Sequence, residues 1–208
     1  MTDYCSLSDV KQRMSGDAPV ASAAWDATIT SAIGMVTDTI NQEVRQQRGQ
    51  GEGWSFLPGT PTTRRYTAAG GGSDLLLIDD ATAVSSVVIL DSAGNLVQTL
   101  ALNVDYLPAP MNTLPITGLR LTNGIWPWYA GGVRVGLTPG YGATLPPNVQ
   151  DACIAEVIRS IRGGQAGEDD RLGITPYGSV IVSKALLQST VRMLGRYRFG
   201  AGFLRGAS

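Results

Sequence analysis

The sequence predicts an α+β protein in which a small bundle of four helices is interrupted, between its second and third members, by a β-rich antiparallel insert. Three observations carry that expectation. Trp25, Ile29, Ile33, Val36, Ile40 and Val44 recur at spacings of four, four, three, four and four, which confines them to an arc of ~100° on one helix. From about residue 62 to 142 the period changes to alternation, in short segments rich in Val, Leu and Ile and punctuated by turn residues, as half-buried strands require. Pro146-Pro147 then opens a second apolar helical run. This divides the chain into N-terminal helices (1–60), the β-rich insert (61–145), a core helix and loop (146–183), and a C-terminal helix with a tail (184–208).

The first element is a short helix over residues 6–14, where Ser6 and Asp9 have the spacing of a capping box and Gly16 marks the stop. In the long helix that follows, Asp38, Asn41, Arg45 and Arg48 fall opposite the apolar stripe, Glu43 intrudes into it, and Gly49, Gly51 and Gly53 end it. Within the insert, residues 83–90 and 96–102 flank Asp91-Ser92-Ala93-Gly94-Asn95, a loop of the length and composition of a hairpin connection. Leu119-Arg120-Leu121 and Val133-Arg134-Val135-Gly136-Leu137 set arginines opposite aliphatic side chains, so both arginines face solvent or a neighbour.

Proline is tolerated in the first helical turn, so the core helix runs from Pro146-Pro147 to Arg162, closed by Gly163-Gly164. Val149, Cys153, Ile154, Val157, Ile158 and Ile161 cover about half its circumference, a width suited to burial among several elements. A Gly- and acid-containing loop at 163–173 leads to a strand or extended piece at 177–182. The last helix, about 184–197, carries Leu187, Val191 and Leu194 on one side, before the Gly- and Ala-rich tail at 199–208.

With 208 residues the chain buries a real core, but only 16% of it is charged, against about 25% typically. Scarce charge implies surface covered by partners. A net charge of -1 argues against a protein held together by wrapping DNA. Histidine is absent, which removes the commonest general base and the commonest zinc ligand. Cys5 and Cys153 lack any CxxC or zinc spacing and are read as small buried hydrophobes rather than a disulfide framework. The N-terminus has no basic region followed by an apolar stretch, and the longest aliphatic runs, 75–78 and 87–90, are too short to span a membrane. An intracellular, soluble protein is expected, with no cofactor and no metal centre.

Gly70-Gly71-Gly72 lacks both the GxGxxG spacing and the P-loop ending and reads as a loop between strands. Asp79-Asp80 and Glu168-Asp169-Asp170 lack the alternating spacing of a calcium loop and read as solvated loop charge. Serines and threonines are plentiful, but Lys11 and Lys184 are the only lysines and no GxSxG or SxxK motif occurs, so no nucleophile has a partner. Two features stand out. Ile125-Trp126-Pro127-Trp128-Tyr129 holds half of the four tryptophans; it fits a stacking platform for sugar or bases, a hydrophobic plug, or a subunit or tail-side contact through Trp126, Trp128 and Tyr129. After Asp170 no acidic side chain occurs, while Arg171, Lys184, Arg192, Arg196, Arg198 and Arg205 are basic and interleave with Tyr197, Phe199 and Phe203. A nucleic-acid patch, a docking arm for an acidic protein surface and a solvated helix end that complements the macrodipole all fit. The interleaved aromatics and near-neutral whole favour a docking arm, with DNA contact secondary.

The order of elements, together with Tyr4-Cys5-Ser6-Leu7-Ser8-Asp9-Val10-Lys11, Asp105-Tyr106-Leu107, Trp126 ahead of Val133-Arg134-Val135 with Gly140-Tyr141-Gly142, and Pro146-Pro147-Asn148-Val149-Gln150-Asp151-Ala152, resembles the head-to-tail adaptor (connector) family of tailed bacteriophages over about residues 4–162. The resemblance implies a non-enzymatic virion protein of the neck, made in the host bacterial cytoplasm. Such a protein forms a ring, commonly of twelve subunits, bound beneath the portal protein and passing genomic double-stranded DNA through its lumen. It also implies a C-terminal segment, here 184–208, that reaches the portal through Arg192, Arg196, Tyr197, Arg198, Phe199, Phe203 and Arg205, and a stopper or other tail-side neck protein on the opposite face. The large insert and the Gly-rich loop after Arg162 depart from smaller relatives. Other neck proteins, a stopper or tail terminator, are close neighbours of this reading; a carbohydrate-binding module centred on residues 126–129 is the rival from another class, and an enzyme the third.

Overall fold

The computed structural model describes residues 3–14, 23–48, 54–68, 73–166, 171–175, 178–181 and 186–197, with the backbone alone described at 46–48, 163–166, 171–175 and 178–181. The fold is α+β and divides into two compact units, Met1–Gly49 with Leu145–Ser208, and Gln50–Thr144.

In the first unit, helix α1 (Leu7–Arg13) begins with the expected reciprocal cap: the Asp9 N–H donates to Ser6 Oγ at 3.2 Å and the Ser6 N–H to Asp9 Oδ2 at 2.8 Å. Hydrogen bonds from Ser6 hold the Asp9 carboxyl below its usual range. Helix α2 (Asp26–Arg48) follows a short 3-10 turn, Ala23–Trp25, so Trp25 precedes the helix instead of opening its stripe. Ile29, Ile33, Ile40 and Val44 are buried as their spacing requires. Asn41, expected on the polar face, is buried as well: the Tyr4 hydroxyl donates to its Oδ1 while the Tyr4 N–H donates to Thr37 Oγ1 at 3.3 Å. The chain before α1 covers that flank of α2, which widens the buried arc.

Helix α3 (Pro147–Ala166) starts on its proline, with Pro146 O accepting from the Val149 and Gln150 N–H groups. It runs on through Gly163-Gly164, where a stop was expected, because glycine weakens a helix by about 1 kcal/mol without forbidding it. α2 packs on α3 and α1 touches both. Strands β7 (Arg171–Thr175) and β8 (Gly178–Ile181) pair antiparallel, so part of the expected loop is strand. The last helix, α4 (Gln188–Leu194), continues into a 3-10 turn, Gly195–Tyr197. It buries Thr190 and Leu194 and leaves Leu187 exposed, which rotates the contact face from the one expected.

The second unit holds six strands: β1 (Thr62–Tyr66), β2 (Leu75–Leu90), β3 (Leu96–Leu100), β4 (Tyr106–Ala109), β5 (Ile116–Leu121) and β6 (Val133–Pro139). They form an antiparallel sheet ordered β1-β6-β2-β5-β4, with β3 also paired to β2. The β2–β3 hairpin turns where expected, its bend fixed by Asp91 Oδ1, which accepts from the N–H groups of Ala93 and Asn95, and by Gly94 at φ +87°. β2 is twice the expected length, since register shifts near Leu77 and Val84 let its first part pair with β5 and its later part with β6.

Asp79-Asp80 therefore lies inside a strand, a correction to its reading as solvated loop charge. Asp80 is buried and accepts from Trp54 Nε1 at 3.0 Å, while Asp79 pairs with Arg64 and accepts from the Tyr66 hydroxyl at 3.0 Å. The anchored Trp54 packs edge-on against Phe56, which meets Tyr141. Backbone bonds from Gly59 to Pro139, Tyr141 to Ser55 and Gly142 to Phe56 zip these two stretches together. Gly140 sits in that zipper at φ +146°, where an added Cβ would lie 2.7 Å from Leu57 O. Gly140→Ala is expected to cost about 2 kcal/mol, read as a lowered midpoint in denaturant unfolding with an unchanged slope.

Candidate functional site

Helix α4, the described part of the basic C-terminal segment, is held down by a carboxylate from another helix. α4 starts on Leu187, which has no side-chain cap to offer. Glu156, buried on α3, supplies the acceptor instead: its Oε1 accepts from the Leu187 N–H at 2.9 Å and the Thr190 hydroxyl at 2.6 Å, while Oε2 accepts from Arg159 Nε at 2.8 Å. A buried carboxylate is tolerable only when paired and hydrogen-bonded in this way. About two turns toward the start of α3, the Tyr197 hydroxyl donates to Asn148 Oδ1 at 2.6 Å and Asn148 Nδ2 approaches Met193 Sδ at 3.3 Å. The two anchor points make α4 run antiparallel to α3.

This arrangement sorts the residues expected in a docking arm. Arg192 and Arg196, one helical turn apart, face solvent together. Tyr197 is half-buried with its hydroxyl committed to Asn148, so within this chain it anchors the helix and is not presented outward. Arg198, Phe199, Phe203 and Arg205 lie outside the described residues. Sequence reasoning missed Glu156, although a signal was present: it falls three residues after Cys153, a charge set among the apolar positions of α3.

The aromatic loop between β5 and β6 is likewise divided. Trp126 is fully buried, its Nε1 shared between Asp74 O at 2.7 Å and Leu119 O at 3.1 Å, and it belongs to the core with Leu76, Leu119, Val133 and Val135. Its reading as a subunit or tail-side contact is corrected: it is a plug of its own unit, with no surface to offer. Tyr129 lies half-buried over Gly132, its hydroxyl donating to Leu90 O. Trp128 is 70% exposed, beside an exposed Ile125. One tryptophan facing water does not make a two-ring sugar platform.

A polar groove of about 480 Å³ between α1 and α3 is lined by Asp9, Gln12, Arg13, Gln150, Asp151 and Ile154, with Arg13 and Asp151 paired at 2.8 Å. Among the described residues no group of three His, Cys, Asp or Glu side chains is placed to hold a metal ion, and no helix is long and apolar enough to cross a membrane.

The architecture defines an α+β protein whose helical unit is split in sequence by an antiparallel β unit. No family model and no curated protein matches the chain. Among solved structures, it is similar to a chain of the neck of an empty GTA (gene transfer agent) particle computed with C6 symmetry, at 17% identity and a TM-score of 0.51, over 83% of this chain and 78% of that one. A chain in the neck of the native particle computed with C12 symmetry aligns at 18% identity and a TM-score of 0.46 over 86% and 87% of the two chains. One in the native virion aligns at 17% and 0.45 over 85% and 77%. The likeness to neck proteins read from the sequence is thus found again in the fold.

Proposed function

We propose that this chain is a structural neck subunit of a phage-like particle: a head-to-tail adaptor whose copies form a ring beneath the portal, join the DNA-filled capsid to the tail and let DNA pass. The observation that carries the reading is the shared fold, which extends over 83% of this chain and 78% of a neck chain. The C6 symmetry with which that neck was computed supports a closed ring, and a dodecamer is compatible with a sixfold axis. No catalytic step is needed. Subunits of modest affinity gain from ring closure and from many identical contacts, so weak docking becomes effectively permanent.

Arg192 and Arg196, with the basic and aromatic residues of 198–208, are assigned to the portal side. Trp128, with Ile125, is assigned to a subunit or tail-side contact, where a large exposed aromatic buries area at small entropic cost. A carbohydrate platform has less support, because Trp126 is committed to the core.

The test is electron microscopy of the purified protein, alone and mixed with DNA-filled heads that carry a portal and no neck. Rings seated on the portal are expected. Trp128→Ala is expected to leave monomer solubility intact and to abolish ring formation. Binding only to heads that already carry another neck protein would make it a stopper, and a monomer indifferent to heads would overturn the neck reading.

A further inference from the structure

Cys5 and Cys153, 148 residues apart, meet inside the helical unit with their sulfurs 3.2 Å apart. Each is buried, at 6% and 0% exposure, and both are free thiols. We propose that this pair is a modification site, a redox staple that closes into an intramolecular disulfide linking the chain before α1 to the core helix α3. The inference is independent of what the protein assembles with.

The geometry needs little adjustment. A disulfide has sulfurs at about 2.05 Å, so the two must approach by about 1.2 Å. A χ1 rotation of roughly 20° moves a sulfur by about 0.6 Å and stays within a rotamer well, so a shift of this size is within reach of the two residues together. The surroundings select which sulfur reacts first. Thr37 Oγ1 lies 3.9 Å from Cys153 Sγ, and hydrogen bonds from Cys5 and then Thr37 draw the Cys153 thiol below its ordinary range, whereas its bond to Cys153, followed by burial, pushes Cys5 up. Cys153 is therefore the favoured thiolate and Cys5 the resolving thiol. Access comes through the segment before α1, which Tyr4 holds to α2 by its bonds to Thr37 and Asn41. Peroxide enters when that stretch opens locally, and its reclosing returns Cys5 to Cys153.

The oxidant is a peroxide. The Cys153 thiolate attacks one oxygen of hydrogen peroxide; the O–O bond breaks, hydroxide leaves, and a sulfenic acid forms. That hydroxide takes the Cys5 proton to give water. The Cys5 sulfur then attacks Cys153, the S–O bond breaks, and the expelled hydroxide combines with the proton that Cys153 first gave up. Two thiols lose two electrons and one peroxide becomes two waters. Such a link hardens the helical unit once the protein leaves a reducing compartment.

The experiment treats the folded full-length protein with hydrogen peroxide and maps its peptides without reduction. A cross-linked peptide joining Cys5 to Cys153 within one chain is expected, with an intact mass lower by two hydrogens and a Tm raised by roughly 5–10 °C. Dithiothreitol should reverse all three, and Cys5→Ser should abolish them. Thiols that stay free in the folded chain under conditions that oxidise the guanidine-unfolded chain would overturn the proposal. So would oxidation ending in links between chains or in sulfinic and sulfonic acids, with no intrachain bond. These readings come from the unsubstituted protein and hold whether or not a cysteine variant folds.

Discussion

Replacing Glu156 by alanine is expected to release the C-terminal helix from α3 and to cost the helical unit about 3 kcal/mol. The carboxylate receives the Leu187 N–H, the Thr190 hydroxyl and Arg159 Nε together. Its removal leaves the first two without an acceptor, and the Leu187 start of α4 has no side-chain cap of its own to replace it. Seven helical residues do not hold themselves together in water. Hydrogen exchange at residues 188–194 should therefore accelerate at least tenfold, while the β unit keeps its protection. Glu156→Gln retains an oxygen for Leu187 and Thr190 and should cost about 1 kcal/mol, the charge-assisted part. Unchanged exchange in α4 would show that Glu156 does not hold the helix, whereas equal loss in both variants would place the whole effect in its charge. The same contacts revise how a docking arm is cut. Deleting 184–208 removes Thr190 and Leu194 from the packed face and takes from Glu156 two of its three donors, so a truncation that tests the proposed docking without removing these contacts begins at residue 198.

What was legible in the sequence was local. The α1 cap depends on residues three apart, the α2 stripe on a repeat within one helix, the β2–β3 turn on Asp91 and Gly94, and the start of α3 on its prolines; each is written in consecutive residues. The misreadings share an opposite cause. Asp79-Asp80 looked solvated because two acids in a row usually are, yet Trp54 and Arg64, from elsewhere in the chain, supply their partners. Asn41 looked exposed because the helical period leaves it outside the stripe, and only the packing of Tyr4 buries it. The Cys5–Cys153 contact closes over most of the chain, and nothing near either residue announces it. The residues expected to dock or to make contacts divide in the same way. Composition identified the basic segment and the aromatic loop, but which side chains of each face outward depends on Glu156, Asn148, Asp74 and Leu119, all remote in sequence from the residues they hold.

Trp126 and Trp128, two residues apart, are expected to give opposite phenotypes. Trp126→Ala empties a fully buried position and leaves Asp74 O and Leu119 O without the indole N–H that they share. The cavity and the lost indole hydrogen bonds together should cost about 3–5 kcal/mol, a fall of roughly 12 °C or more in the melting of a unit this size. Trp126→Phe restores much of the apolar contact without the donor, and should fall between. Trp128 is 70% exposed, so Trp128→Ala should change stability by less than about 0.5 kcal/mol while removing the ring that assembly is proposed to bury. Thermal unfolding and sedimentation of the two variants side by side separate the roles. A stable Trp126→Ala would mean that the plug is dispensable to the core. A Trp128→Ala protein that still forms rings would move the subunit contact away from this loop, to the surface around the exposed Leu96, Val97, Leu102 and Val104, where β3 offers its outer edge without a described neighbour.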